Sequence, residues 1–224
     1  MEIVKPHVFV REFDREDAEK FIQQLDGIVA TFGPEQPIVV QIDSYGGEAA
    51  GLSMMYNKLK SITNPIVTYT SSVAMSCGFN LLCLGAEKPN RVASEGALLL
   101  FHEISSGAFG DVKDMQNSVE SLKKQSDYWS GLISSKLGYK SGEELIKAFK
   151  EKANGCNDFY LTAQQALELG IIDMIGDVMM TPYHGYDVGI KPSQPKVVEA
   201  EKCKGCGPKS KKKAELRTKK KYGK

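Results

Sequence analysis

The chain has 224 residues, 42% of them hydrophobic, with 29 Lys and Arg against 28 Asp and Glu and a net charge of +1. That is enough to bury one sizeable core, and no run approaches the ~18 apolar residues of a membrane-spanning helix, which argues against an integral helical membrane protein. The near-neutral total hides a split: residues 191–224 carry 13 basic against 3 acidic side chains and residues 1–190 carry 16 against 25, so an acidic body ends in a basic tail.

The N-terminus has no apolar signal segment, and the five cysteines form an odd set, which predicts a soluble, unsecreted chain with free thiols. Residues 8–13 (VFVREF) read as a strand. Asp14, three residues before Asp17, opens a helix in which Ala18, Phe21, Ile22, Leu25, Ile28 and Val29 recur at helical spacing, and Gly33-Pro34 stops it. Residues 37–43 (PIVVQID) are almost continuously apolar, as in a strand buried on both faces of a mostly parallel sheet. Gly46-Gly47 follows, then a helix carrying Leu52, Met55, Tyr56 and Leu59 that breaks at Asn64-Pro65. Residues 66–70 (IVTYT) return as a buried strand, and after two serines the pattern restarts as an apolar helix, Cys77–Leu84. Strand, loop and helix repeated in this order predict an α/β fold of βαβ units.

Residues 97–101 (ALLLF) supply a further strand, followed by the serine- and glycine-rich SSGAFGD. Val112–Leu137 is predicted as one helix with Val112, Met115, Val119, Leu122, Trp129, Leu132 and Leu137 along a stripe. At 1.5 Å per residue it spans about 39 Å, more than a domain of this size needs internally, so part of it projects. Another helix starts at Ser141, and residues 156–175 add a short strand, a helix capped by Thr162 with Gln165 three residues on, and a stop at Gly170. Beyond Pro182 the periodicity is lost. The expected division is a folded domain, residues 1–182, and a basic, disordered tail, residues 183–224.

Hydrolysis of an amide through a covalent intermediate needs a nucleophile, a base, a group that orients the base, and donors aimed at the developing oxyanion. Ser76, in AMSCG, stands on a strand-to-helix corner and matches half of a nucleophile elbow: Gly78 is present, but Ala74 stands where a first glycine would. An ordinary helix N-cap is the alternative. His102 follows the apolar strand ALLLF and belongs at a strand end, where neighbouring parallel strands present their loops; a structural histidine is the alternative there. His7 and His184 have no comparable setting. Gly46-Gly47, at the carboxyl end of a buried strand and opening a helix, lets backbone N–H groups approach an anion closely, or else forms a plain tight turn. Cys77 is read as a structural thiol packed within its helix.

Together these residues resemble the ClpP-type serine peptidases, the proteolytic subunits of Clp proteases within the crotonase-like superfamily, over roughly residues 8–178. Four blocks carry the resemblance in order: VVQIDSYGGEAAGLSMMYNKLK, SSVAMSCGFNLLCLGA, ALLLFHEISSGAFGD and NDFYLTAQQALELGIID. The resemblance implies a ClpP/crotonase-like spiral of βαβ units with a projecting long helix through which two heptameric rings interlock. It implies Ser76 as nucleophile, His102 as general base, Asp158 as orienting carboxylate, and the N–H groups of Gly47 and Cys77 as the oxyanion hole. Gly46, Ser105, Ser106 and Gly107 fall on its substrate-binding segments, where a peptide adds as a strand. Position also favours Asp158, which directly precedes the strand FYL, whereas Asp111 is a natural N-cap for the long helix and Asp173 follows the Gly170 stop.

The implied activity is a serine endopeptidase cutting unfolded polypeptide inside a homo-oligomeric chamber, with no cofactor and no metal, in the cytoplasm of the cell or of an infected host cell. Tyr45 stands where the family has proline. The chain also starts almost at its first core strand, without the family's axial-pore segment, which leaves partnership with an ATP-driven unfoldase open and favours a viral capsid or scaffold maturation protease as the alternative. A crotonase-like acyl-CoA enzyme and a non-catalytic assembly protein remain further readings. The tail, with its balance of +10, suits contact with a polyanion, and Cys203 and Cys206 form one CxxC without the second ligand pair that a zinc site needs.

Overall fold

Strand β1 (His7–Val10) feeds helix α1 (Arg15–Phe32) in the computed structural model, which describes residues 5–107, 109–182 and 186–193. Asp14 accepts the Asp17 N–H at 2.8 Å and caps α1, and Gly33, at φ 78°, ends it. The chain continues through β2 (Ile38–Ile42), α2 (Ala49–Ser61), β3 (Ile66–Thr70), β4 (Val73–Met75), α3 (Cys77–Leu84), β5 (Arg91–Ala93) and β6 (Leu98–Phe101). Then come α4 (Val112–Leu137), α5 (Gly142–Lys152), β7 (Phe159–Thr162), α6 (Ala163–Glu168), β8 (Met174–Pro182) and β9 (Tyr186–Pro192). The result is a mixed α/β fold.

The main sheet runs β1-β2-β3-β5-β8-β9, parallel until β9, which pairs antiparallel with β8. Val8, Val10, Val40 and Ile42 belong to the core shared with Phe21 and Leu25 of α1 and Leu52 and Met55 of α2. A separate cluster, Val39, Val67, Tyr69 and Val92, is covered by Val178, Met180, Val188 and Ile190 of the β8–β9 hairpin. Cover on both sides explains why these strands are continuously apolar rather than alternating. A second sheet, β4-β6-β7, joins the first through a bridge between Ser44 and Ala74.

Three findings revise the sequence expectations. The folded unit does not stop at Pro182: β9 pairs with β8 from Tyr186 to Pro192, and the compact unit runs to Ser193. His184 and the tail from residue 194, with Cys203 and Cys206, lie outside the described residues. Strands β4 and β5, three residues each, were hidden because three residues show no periodicity. Finally, Trp129 does not belong to an outward stripe of α4. It is 4% exposed and packs edge-on to Tyr56 in the core, while Val112 (68%), Met115 (41%) and Val119 (62%) are exposed.

One buried ion pair ties β5 to the start of β8. Arg91 is fully buried; its Nε donates to Asp173 Oδ2 at 2.9 Å and its Nη2 to Oδ1 at 2.6 Å, while its backbone N–H reaches Oδ2 at 3.1 Å. Arg91→Met strands a carboxylate in the interior and should cost about 3–5 kcal/mol in urea unfolding, whereas Arg91→Met with Asp173→Leu should recover a large part of the loss. A single variant as stable as the parent would refute this role.

Candidate active site

Three segments meet at one margin of the small sheet. β4 runs parallel to β6 with Met75 opposite Leu100, so Ser76 and the Phe101–His102 step leave the ladder together. β7 runs antiparallel to β6 with Phe101 opposite Phe159, so the ladder ends one residue short of His102 on one strand and of Asp158 on the other. Ladder geometry thus gathers residues that are far apart in sequence.

Ser76 is the corner between β4 and α3. Its φ of 54° and ψ of −115° are not those of a capping residue, its hydroxyl makes no cap hydrogen bond, and its N–H donates to the Leu100 carbonyl at 2.9 Å. An N-cap serine holds extended backbone and spends its oxygen on the helix. The N-cap alternative therefore fails here. Left-handed backbone outside glycine costs about 1–3 kcal/mol and persists only where surrounding structure imposes it. Gly46, at φ 118°, is part of that structure: a Cβ there would lie 2.8 Å from Ser76 Cβ and 3.2 Å from its Oγ. The N–H groups of Gly47 and Cys77 have no acceptor among the described residues. The Cys77 thiol donates to the Gly47 carbonyl at 3.2 Å, tying one of these groups to the other. Burial pushes the thiol pKa up to about 11, so it stays protonated near neutral pH.

His102 is half-buried, with Nδ1 2.6 Å from the Glu103 carbonyl. A carbonyl only accepts, so Nδ1 carries a proton, and in the neutral ring that leaves the lone pair on Nε2, the tautomer a general base needs. Lys150 of α5 holds the Glu103 carboxylate at 2.5 Å. Asp158 is exposed, directly precedes β7 and makes no side-chain hydrogen bond among the described residues, to His102 or to any other group. The two other carboxylates weighed for that place are engaged elsewhere: Asp111 caps α4 and Asp173 holds Arg91.

Ser76, Cys77, His102, Gly47, Ser105 and Ser106 line one cleft of about 390 Å³, closed on one side by Leu122 and Gln125 of α4. Gly46 abuts Ser76, and Gly107 is exposed on the same segment as Ser105 and Ser106. Residues 103–107, 109 and 110, the segment that the resemblance assigns to substrate, form no strand; a strand needs a ladder partner, and this segment has none among the described residues. A groove of about 770 Å³ between α4 and α5 shares Ile104 and Leu122 with the cleft. No group of three or more metal-ligating side chains occurs among the described residues.

Sequence reasoning passed over Asp43, at the end of β2. Its carboxylate accepts from Gln41 Nε2 (2.7 Å), Ser71 N–H (2.9 Å), Ser72 N–H (2.8 Å), both serine hydroxyls (2.7 and 3.0 Å) and Thr70 Oγ1 (3.2 Å). Burial raises its pKa, but the hydrogen bonds from Gln41, Ser71 and Ser72 outweigh burial and hold it below the usual value. The available signal was three consecutive hydroxyl residues, Thr70 to Ser72, directly after a buried strand.

In the folded protein near neutral pH, Cys77 should remain unmodified by a maleimide while the exposed Cys156 reacts, read by peptide mass mapping. Rapid modification of native Cys77 would contradict its assignment as a packed thiol.

The family model described as Clp protease matches residues 5–179. The chain is similar to an ATP-dependent Clp protease proteolytic subunit of Dehalococcoides mccartyi, at 30% identity over 63% of this chain and 67% of that protein. It is also similar to proteolytic subunit 3 of Rhodococcus jostii, 28% identical over 73% of this chain and 77% of that one. Proteolytic subunit 2 of Treponema pallidum is 26% identical over 72% of this chain and 76% of its own length.

Proposed function

Because this chain belongs to the Clp protease family, we propose that it is a serine endopeptidase that cleaves loosely folded polypeptide through an acyl-enzyme. The observation that carries this reading is the meeting of Ser76, on strained backbone, with His102 in one cleft beside the unpaired N–H groups of Gly47 and Cys77.

In the proposed sequence, the Ser76 hydroxyl attacks the scissile carbonyl as His102 Nε2 takes its proton. The oxyanion forms against the Gly47 and Cys77 N–H groups, donors that need no reorganisation and whose loss in comparable sites costs on the order of 10²–10³-fold in turnover. The tetrahedral intermediate collapses as His102 protonates the leaving amine, and water then hydrolyses the acyl-Ser76 ester with His102 again as base. Asp158 is proposed as the third member, stabilising the imidazolium; its position directly before β7, the strand paired with the one that ends at His102, supports this reading. The segment at Ser105, Ser106 and Gly107, which pairs with no strand among the described residues, offers backbone groups to an extended peptide, a mode of recognition by main-chain hydrogen bonds that needs no charged specificity pocket.

A fluorophosphonate probe should label Ser76, and Ser76→Ala should abolish both labelling and peptide hydrolysis while oligomer size stays unchanged. Labelling at another residue, or hydrolysis that survives Ser76→Ala, would sink this assignment.

The exposed apolar positions of α4, Val112, Met115 and Val119, are proposed to be covered by further copies of the chain. Met115→Glu with Val119→Glu should shift light-scattering mass to small species and weaken hydrolysis. A parent protein that is monomeric and fully active would overturn the assembly.

A further inference from the structure

We infer that Asp43 is a positioning residue for hydrolysis: its carboxylate clamps together the two loops that carry the nucleophile and the oxyanion donors. The inference rests on the reading of Ser76 and His102 as nucleophile and base. Asp43 sits where β2 ends, three residues before Gly46 and four before Gly47. From there it accepts the N–H groups and hydroxyls of both Ser71 and Ser72, in the turn that carries the chain from β3 of the main sheet to β4 of the small one. Gln41 donates to both sides of this clamp, to Asp43 at 2.7 Å and to Ser71 Oγ at 3.1 Å.

Just beyond the clamp the two loops become a short ladder. The Ser44 N–H donates to the Val73 carbonyl at 2.9 Å and the Met75 N–H to the Ser44 carbonyl at 3.0 Å. Ser44 Oγ then accepts the Gly46 N–H at 3.0 Å, which sets the glycine loop against Ser76. The carboxylate is thus the base of a bracket whose two arms end at Ser76 and at Gly46-Gly47, and Asp43 touches neither. Without it, six donors lose their shared acceptor and the β3–β4 turn is free to shift. A left-handed serine has no intrinsic preference for its backbone, so it keeps its geometry only while such neighbours impose it. Displacement of about 1 Å at a reacting group can cost on the order of 10²-fold in rate.

Asparagine is the informative substitution. Its carbonyl can still accept from the Ser71 and Ser72 N–H groups, and its amide can donate to Ser71 Oγ and to the Gln41 carbonyl once that side chain turns over. Alanine offers nothing. The experiment labels Ser76 to saturation with a fluorophosphonate to count competent sites, then divides peptide turnover by that count. This separates slower sites from fewer sites.

In the full-length protein, Asp43→Ala should lower turnover per labelled site on the order of 10²-fold with KM changed little, and Asp43→Asn should recover most of that loss. Should Asp43→Ala fail to fold, Ser71→Ala with Ser72→Ala removes two donors and leaves the N–H groups in place; it should still lower turnover per site several-fold. Unchanged turnover per site in Asp43→Ala or in the double serine variant, with only the count of sites reduced, overturns the inference and makes the clamp purely structural. So does an Asp43→Asn variant as slow as Asp43→Ala. A parent protein that labels elsewhere than Ser76 overturns the hydrolytic reading and takes this one with it.

Discussion

Ser76 holds a backbone conformation that a serine does not choose for itself, and the surroundings of the cleft are arranged to impose it. Its N–H is pinned to Leu100 of the neighbouring strand, and the turn leading into its strand is bound by Asp43. Gly46 packs where any side chain would collide with Ser76. These constraints come from β6 and from the segment that follows β2, so no single local motif could supply them. The strain has a chemical return: a sharp corner leaves the hydroxyl out of the helix and exposes the next N–H, that of Cys77, to the same cleft.

The two sheets divide the labour. The main sheet is covered on one side by helices and on the other by the β8–β9 hairpin. The small sheet adds Ala74, Leu99, Phe101 and Leu161 to the same core, and its strands β4 and β6 end beside Ser76 and His102. Helix α4 shows a similar division along its length. Trp129, Ser130, Ile133 and Ser134 are buried, whereas Val112, Met115 and Val119 stand in solvent. The buried half anchors the helix so that the other half can project beside the cleft, where Leu122 and Gln125 form part of the wall.

Capping chemistry is local, and the helices it controls were legible. Asp14 and Gly33 bracket α1, Asp111 opens α4, and Thr162 with Gln165 opens α6, each as its residue types predict. Strand β9 was legible in hindsight from the alternation of Tyr186, Val188 and Ile190, but Gly189 and the prolines around it broke the run. The Trp129 expectation failed for another reason: helical spacing fixes which residues share a face, not what that face meets.

By itself the sequence determined the helices, the longer buried strands, the corner at Ser76, the strand end at His102 and the glycine pair after β2, because each depends on residues within a few positions of one another. Tertiary structure alone decided that the corner serine is strained rather than a cap, that Asp173 is consumed by Arg91, and that Asp43 binds two loops together. Those outcomes depend on register and on pairings across roughly 30 to 80 residues of chain, set by which surfaces bury one another, and a hydrogen-bonding side chain carries no mark in sequence of which distant partner it will find.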